Sequence, residues 1–379
     1  MREKGMTTIT LKRINRDKVY QYIYKQKETS KLQIVQDLQM GLSTVSQNLN
    51  ELEADGLISR KGYFESTGGR KAQIIRIIDD FRISIGLGIM KDMFHIVAVN
   101  LYGDAIATET IALAYENSAA YYAELSGHVE QFIKKYQYVP ERIEGISIAT
   151  QGIISPDGTT VTYGDIMGNV QMKISDFSSR LPYPCHLEHD SKAAAELELW
   201  NHPQFDSALV FLLNPNLGGA VITNHEVHQG NHMRSGLFEH ICIDPDGPEC
   251  YCGKHGCLET YCSANALKAA AGMPVKEFFS VLHTAESPTL QKIWQDYLNH
   301  LAFAICNLNL VIDSPVIISG YRAPYFQEAD MQYLLEKINE QSLFRMAADQ
   351  LMVGNHGQYT PAIGAAIYYV KKFLSPSVS

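Results

Sequence analysis

The side chains of this sequence best suited to chemistry lie together at 239–259, in EHICIDPDGPECYCGKHGCLE. This segment offers His240, Cys250, Cys252 and Cys257, with a Cys-x-Cys turn followed by glycines at 253 and 256. Thiolate sulfur and imidazole nitrogen suit tetrahedral zinc, and four protein ligands leave no open coordination position, so the expected cofactor is a structural zinc ion. His255 is a rival fourth ligand, awkwardly placed inside the loop between Cys252 and Cys257. Three of the seven cysteines fall within eight residues, which is metal spacing; the other four read as structural. A different chemistry is offered at 43–50. There Ser43, Thr44, Ser46, Gln47, Asn48 and Asn50 lie off the apolar stripe Val45, Leu49, Leu52 near the start of a helix. Small hydrogen-bonding side chains in that position suit base edges in a DNA major groove, with Gln47 and Asn48 best placed to read them. Lys61 at the tip of the following hairpin, with Arg60, suits backbone phosphate or the minor groove, positioning more than specifying, as do Arg70 and Lys71.

Holding these groups in place requires two different kinds of structure. Val19, Tyr20, Ile23 and Tyr24 recur at helical spacing within 16–26, and Thr29-Ser30 caps a second helix with Leu32, Val35 and Leu38 on its buried side. The third helix spans 42–55 and is stopped by Gly56. Strands at 57–60 and 72–78 flank a polar turn containing Gly62. Three helices and a hairpin make a winged helix-turn-helix over residues 1–80, with Ser66-Thr-Gly-Gly-Arg70 as the hinge out of the wing. Beyond Asp80 the texture changes to strands at 83–89, 94–101 and 105–113, a helix at 119–136 and a strand at 143–149. A helix at 191–200, a strand at 208–213 ending in Gly218-Gly219, a strand at 315–319 and a closing helix at 361–373 follow. This alternation predicts an α/β body of two lobes, 81–193 (completed by 361–379) and 194–360, with the metal loop in the second.

Of the 379 residues, 46% are hydrophobic and 19% charged, enough for two or three ordinary cores. The net charge of −9 conceals a division: residues 1–80 hold 14 Lys and Arg against 10 Asp and Glu, the remainder 18 against 31. A short basic module facing phosphate and a larger acidic body with another task are expected. The polar N-terminus and the lack of any apolar run of membrane length predict a soluble, cytoplasmic protein with no membrane partner.

Taken together, the helix-turn-helix ending in STGGR, His189-Asp190 and above all DPDGPECYCGKHGCLE resemble the ROK family of repressors, open reading frames and sugar kinases, along essentially the whole chain. The resemblance implies an actin-like, ribonuclease-H-like pair of lobes with a sugar cleft between them, and a homodimer or homotetramer. Three departures bear on catalysis. Where the family's kinases carry an Asp-x-Gly-Gly-Thr phosphate loop, this chain reads Gly86-Leu-Gly-Ile-Met-Lys-Asp92; the second phosphate loop reads Asn214-Pro-Asn-Leu-Gly-Gly219; the third reads Ile318-Ser-Gly-Tyr-Arg322. Glycine lets backbone amides approach an anion and proline removes a donor, so these losses predict no catalytic residues and no phosphoryl transfer.

The sugar side is mixed. Asp190 matches the family's general base, which in a non-catalytic protein accepts a sugar hydrogen bond; capping the helix that begins at Ser191 is its other reading. His189 stands where kinases have Asn. Glu259 matches a sugar-contacting carboxylate and also reads as a surface acid at a helix start. His240 would both ligate zinc and line the sugar site, and the upstream Asn of the sugar loop is replaced, with Asp165 or Asn169 nearby. The family's Gly-Glu-x-Gly-His reads Gly236-Leu-Phe-Glu-His240, which puts Leu237 where the sugar-binding Glu belongs. The resemblance therefore implies a repressor that reads double-stranded operator DNA and answers to a small effector, a sugar or sugar phosphate, or to a partner protein. A sugar kinase with a fused DNA-binding domain and a ligand-independent regulator with a vestigial pocket are the alternatives.

Overall fold

Apolar residues at helical spacing build the N-terminal elements of the computed structural model, which describes residues 8–65, 71–284 and 287–375. The chain divides into two units. In the first, α1 (Thr8–Gln26) turns Val19, Tyr20 and Ile23 inward, α2 (Lys31–Leu38) contributes Ile34, and α3 (Leu42–Ala54) contributes Val45, Leu49 and Leu52. The first helix begins at Thr8, earlier than expected, because its solvated opening turns carry no apolar stripe to read. Ser30 caps α2 by accepting from the Gln33 amide at 3.3 Å. Leu32, expected inside, is 61% exposed, and Ile34 takes the buried position. Gly56, at φ +75°, ends the α3 segment.

The strands β1 (Ile58–Tyr63) and β2 (Gln73–Ile77) pair antiparallel, with Ile58 opposite Ile77. Their register shifts between Arg60 and Tyr63, where Gly62 adopts φ +84°. Gly62 is thus a bulge within a strand, and Lys61 lies in β1 itself and not at the hairpin tip. The proposed hinge Ser66–Arg70, including Arg70, lies outside the described residues. This unit also takes in Asn100–Tyr102 and Val370–Ser379, in addition to Met1–Ile83. Leu101 is buried in its core, Phe373 and Leu374 pack against it, and Tyr24 stacks on Tyr102 while donating to the Leu101 carbonyl at 3.0 Å.

The second unit comprises Ser84–Val99 and Gly103–Tyr369. Its first half runs β3 (Ile83–Ile89), β4 (Met93–Val99), β5 (Ala105–Ala112), α4 (Ala119–Lys135), β6 (Ile143–Thr150), a small ribbon of β7 (Ile153–Ile154) and β8 (Val161–Tyr163), α5 (Ile174–Ser178), β9 (Cys185–His189) and α6 (Asp190–Asn201). The second half runs β10 (Ala208–Leu213), β11 (Leu217–Thr223), β12 (Glu226–Val227), α7 (Glu259–Cys262), α8 (Ala264–Ala271), α9 (Val275–Thr284), α10 (Pro288–Asn309), β13 (Val316–Ser319), α11 (Glu328–Gln341), β14 (Leu351–Val353) and α12 (Thr360–Leu374). The two five-stranded sheets have strand orders β5-β4-β3-β6-β9 and β12-β11-β10-β13-β14. Each is an antiparallel meander continued by parallel strands, so one topology occurs twice. Strands such as β3 and β10 are buried along their whole length, which explains why they read as unbroken apolar runs.

Glycines set the closest approaches in this unit. A Cβ on Gly86 of β3 would fall 1.8 Å from the Ala362 carbonyl oxygen of α12, and one on Gly364 of α12 would fall 1.7 Å from the Ala193 carbonyl oxygen of α6. Backbone meets backbone at both points, with no flexible side chain to yield. Gly364→Ala should therefore destabilise the protein by about 2–4 kcal/mol in urea unfolding. Gly127→Ala on α4, where a Cβ meets nothing within 4 Å, should leave stability unchanged or raise it by up to ~1 kcal/mol.

Candidate functional site

The loop between β12 and α7 is shaped by its glycines. Gly253 and Gly256 adopt φ +75° and +66°, and a Cβ on Gly256 would lie 1.5 Å from the Asp244 carbonyl oxygen. Backbone bonds from Cys250 to Lys254, from Gly253 to Cys250 and from Gly256 to Pro248 fold the segment back on itself. The outcome is a cluster in which ligand atoms of His240, Cys250, Cys252 and Cys257 all lie within 4.8 Å of one another. Cys252 and Cys257 sulfurs are 3.7 Å apart, far beyond a disulfide and close to the ~3.8 Å spacing of two thiolates on one tetrahedral zinc. His240 turns Nδ1 toward Cys250, 4.0 Å away, and its Nε2 lies 3.2 Å from the Tyr251 hydroxyl. Burial lowers the His240 pKa and so favours the neutral, metal-binding imidazole. These four residues could hold a metal ion. His255 is not in the group: it is exposed, and its Nδ1 bonds the Gly247 carbonyl oxygen at 3.1 Å.

Beside this loop lies a cavity of about 60 Å³, lined by Asp165, His189, Asp190, Leu237, Glu239 and His240 among others. Four of the five candidate ligand residues outside the glutamate are thereby resolved: Asp165, His189, Asp190 and His240 meet there, and Asn169 does not. Asn169 is fully buried, donating to Thr150 Oγ1 at 3.0 Å and to the Gln151 carbonyl at 2.7 Å, so it pins the turn that carries the cavity wall. Glu259 is likewise no surface acid and no wall residue. It is 5% exposed and accepts hydrogen bonds from Asn216 Nδ2 and the Leu217 amide, both at 2.7 Å. Asp190 is the first residue of α6 and not its cap, a position held by His189; its Oδ1 accepts from the Ser191 amide at 2.7 Å.

Glu239 is the wall residue that the sequence reading passed over. It is 7% exposed, and its Oε2 is buried with no hydrogen-bond partner. Burial pushes its carboxyl up to about 8; nearby Asp190 and Glu259 add to the shift, while its own backbone amide and Lys192 oppose it. Lys192 lies close by but is committed elsewhere, donating to the carbonyls of His228 at 2.8 Å and Ser235 at 2.5 Å. The signal for Glu239 was its place two residues after Leu237, in a position where the family carries glycine.

A second cavity of about 330 Å³ is lined by residues from all three altered phosphate segments: Gly88, Ile89 and Met90 from the first, Asn214 and Pro215 from the second, Tyr321 from the third. Asp190 lines this cavity too, so it stands at the wall of both. The second and third segments bond to each other and to α8. Asn214 Oδ1 accepts from the Tyr321 amide at 2.9 Å, and the first amides of α8, Ala264 and Asn265, donate to the Asn214 and Pro215 carbonyls at 3.2 Å. The amides of Tyr321, Ala264 and Asn265 are thus paired within the protein.

In the first unit, Ser43 and Gln47 are exposed on α3 and Thr44 and Ser46 half-buried. Gln47 donates to Glu51 at 3.0 Å and Ser46 to the Leu42 carbonyl at 2.7 Å. Asn48 is 5% exposed, packed on the same side as Leu49 and Leu52, and is withdrawn as a base reader. Arg60 is also engaged within the protein: it pairs with Glu53 at 2.9 Å and donates to Asn50 at 2.7 Å. Lys61 and Lys71 are exposed.

A helical unit with a two-stranded hairpin, joined to a duplicated α/β unit with two cavities and a His/Cys₃ cluster, defines a regulator-like assembly on a sugar-kinase-like scaffold. Residues 83–372 match the ROK family, and the chain belongs to it. It is similar to the xylose repressor of Caldicellulosiruptor bescii, 25% identical over 355 residues that cover 88% of this chain and 89% of that protein. It is also similar to the N-acetylglucosamine repressor of Shigella flexneri, 27% identical over 264 residues, 68% of this chain and 64% of that one. A crystal structure of a ROK family transcriptional regulator, a homologue of the Escherichia coli MLC protein, superposes with a TM-score of 0.72 at 20% identity, covering 96% of each chain. Among the described residues no helix is long and apolar enough to cross a membrane.

Three measurements follow. Cys252→Ser should reduce bound metal well below one equivalent per chain by elemental analysis, and a chelator should lower the Tm of the unmutated protein by about 5 °C or more. His95, 3% exposed on β4 and bonded through Nδ1 to Thr110, has its pKa lowered by burial from 6.5 to about 4. Between those values the unfolded chain binds a proton that the native protein does not, so stability falls as pH drops through that window, by at most about 3 kcal/mol from this group. In urea titrations at pH 7 and pH 4.5, His95→Gln should show a smaller loss than the unmutated protein.

Proposed function

We propose that this chain is a ROK-type transcriptional repressor whose first unit acts as a winged helix-turn-helix on operator DNA and whose second unit binds a small sugar. In this reading α3 enters the major groove, with Ser43, Thr44, Ser46 and Gln47 facing base edges and Lys61 and Lys71 contacting phosphate. The cluster of His240, Cys250, Cys252 and Cys257 holds zinc as a closed structural site, bracing the loop that carries the wall of the smaller cavity. Phosphoryl transfer is absent. The observation that carries the reading is the joining, in one chain, of an exposed hydrogen-bonding helix edge to a kinase-like cleft whose second and third phosphate segments are bonded to one another. Two copies of the chain would read a two-fold operator, and the sugar would shift the balance between two arrangements by binding them with different affinity.

A ligand-independent regulator is favoured by one observation, the apolar Leu237 at the wall of a cavity of only about 60 Å³. Calorimetric screening separates the two readings, since only the sugar-responsive one requires a small molecule that binds the free protein. ATP turnover with hexoses and N-acetylhexosamines should be at background; sugar-dependent ADP release would overturn the loss of kinase activity.

On DNA, Gln47→Ala should relax sequence preference in competition binding by about 1–3 kcal/mol at one base position. Lys61→Ala should weaken binding to all sequences alike and reduce the salt slope by about 1. Unchanged preference in Gln47→Ala would show that α3 does not face the bases in this way.

A further inference from the structure

The smaller cavity has an electrostatic character that restricts what it can hold. Among the described residues its wall carries three carboxyl groups, Asp165, Asp190 and Glu239, and no Lys or Arg. Lys192 lies behind the wall with its ammonium bound to two carbonyls. The Ser191 amide, a first-turn donor of α6 that a phosphate would seek, is occupied by Asp190 Oδ1. A phosphate brought here would meet like charge and no free cation. The wall also holds two buried polar atoms without partners, Glu239 Oε2 and His189 Nδ1. A buried carboxyl oxygen without a partner is costly, and a ligand hydroxyl that reached it would recover that cost.

We infer that the cavity takes an uncharged, unphosphorylated polyhydroxy compound, and that Glu239 supplies the carboxyl contact to its hydroxyls which Leu237 cannot. The inference rests on the sugar-effector reading above and narrows it, excluding the sugar phosphates that the sequence left open. Glu239 is a specificity residue in this account. A site built around its carboxyl discriminates against any ligand without a matching hydroxyl.

The test is calorimetric titration of the full-length, metal-loaded protein with neutral aldopentoses, aldohexoses and N-acetylhexosamines, each beside its monophosphate. At least one neutral sugar should bind, and its monophosphate should bind about tenfold more weakly or worse. For that sugar Glu239→Leu should weaken binding by about tenfold or more, while Glu239→Gln, which keeps a hydrogen-bonding group of the same shape, should stay within about threefold. Metal content and thermal unfolding of both variants identify any damage to the neighbouring His240 or to the fold, and the comparison of neutral and phosphorylated sugars requires no variant. A monophosphate that binds as tightly as its neutral parent, or a folded Glu239→Leu that binds normally, overturns the inference and leaves the sugar-effector reading standing. Binding by neither class overturns both.

Discussion

The beginning of α6 is the point on which the second unit depends, and it is fixed by glycines that let neighbouring elements approach it closely. Asp190 and Ser191 open this helix, and a Cβ on Gly218 of β11 would lie 2.2 Å from Ser191 Oγ. Further along, Ala193 of α6 meets Gly364 of α12, and α12 in turn meets Gly86 of β3. A larger residue at Gly218 would push the start of α6 away from β11, and Asp190, which faces both cavities, would move with it.

The two cavities have diverged in opposite senses. Around the larger one, the Tyr321 amide bonds Asn214 and the Asn214 and Pro215 carbonyls bond α8, with Met90, Pro215 and Tyr321 contributing bulk at the wall. Internal pairing of that kind satisfies the backbone without an anion. Around the smaller one the polar groups are not fully paired, and acidic side chains remain in numbers that a purely apolar remnant would not keep. The metal-ligand loop ties into this second wall directly, because His240 belongs to both.

Much of this arrangement was legible in the residues. The strands β3 and β10 have the bounds expected of them, and the grouping of His240 with Cys250, Cys252 and Cys257 was readable because cysteines and glycines at short spacing leave few geometries open. Side chains at helix borders were harder. Asn48 sits beside Leu49 on a three-residue-wide stripe, and polarity alone placed it outside when packing placed it inside. Arg60 is drawn to Glu53 and Asn50 by contacts ten residues or fewer away that no periodicity records. Glu259 and Asn169 share a deeper cause: each carries the right functional group for a ligand, and each is claimed by a nearby backbone. Which acid of a motif stays available is decided by tertiary contacts, and this is why Glu239 emerged only from the structure.

The helix α12 ties these features to the order in which the chain is made. Gly86 lies near the start of the second unit and waits for Ala362, while Leu101 in the first unit waits for Phe373 and Leu374. These two contacts cannot form on the ribosome before residues beyond 360 have emerged, a delay on the order of tens of seconds at ordinary synthesis rates. During that interval Gly86 of β3 and Leu101 lack the partners that cover them in the finished protein.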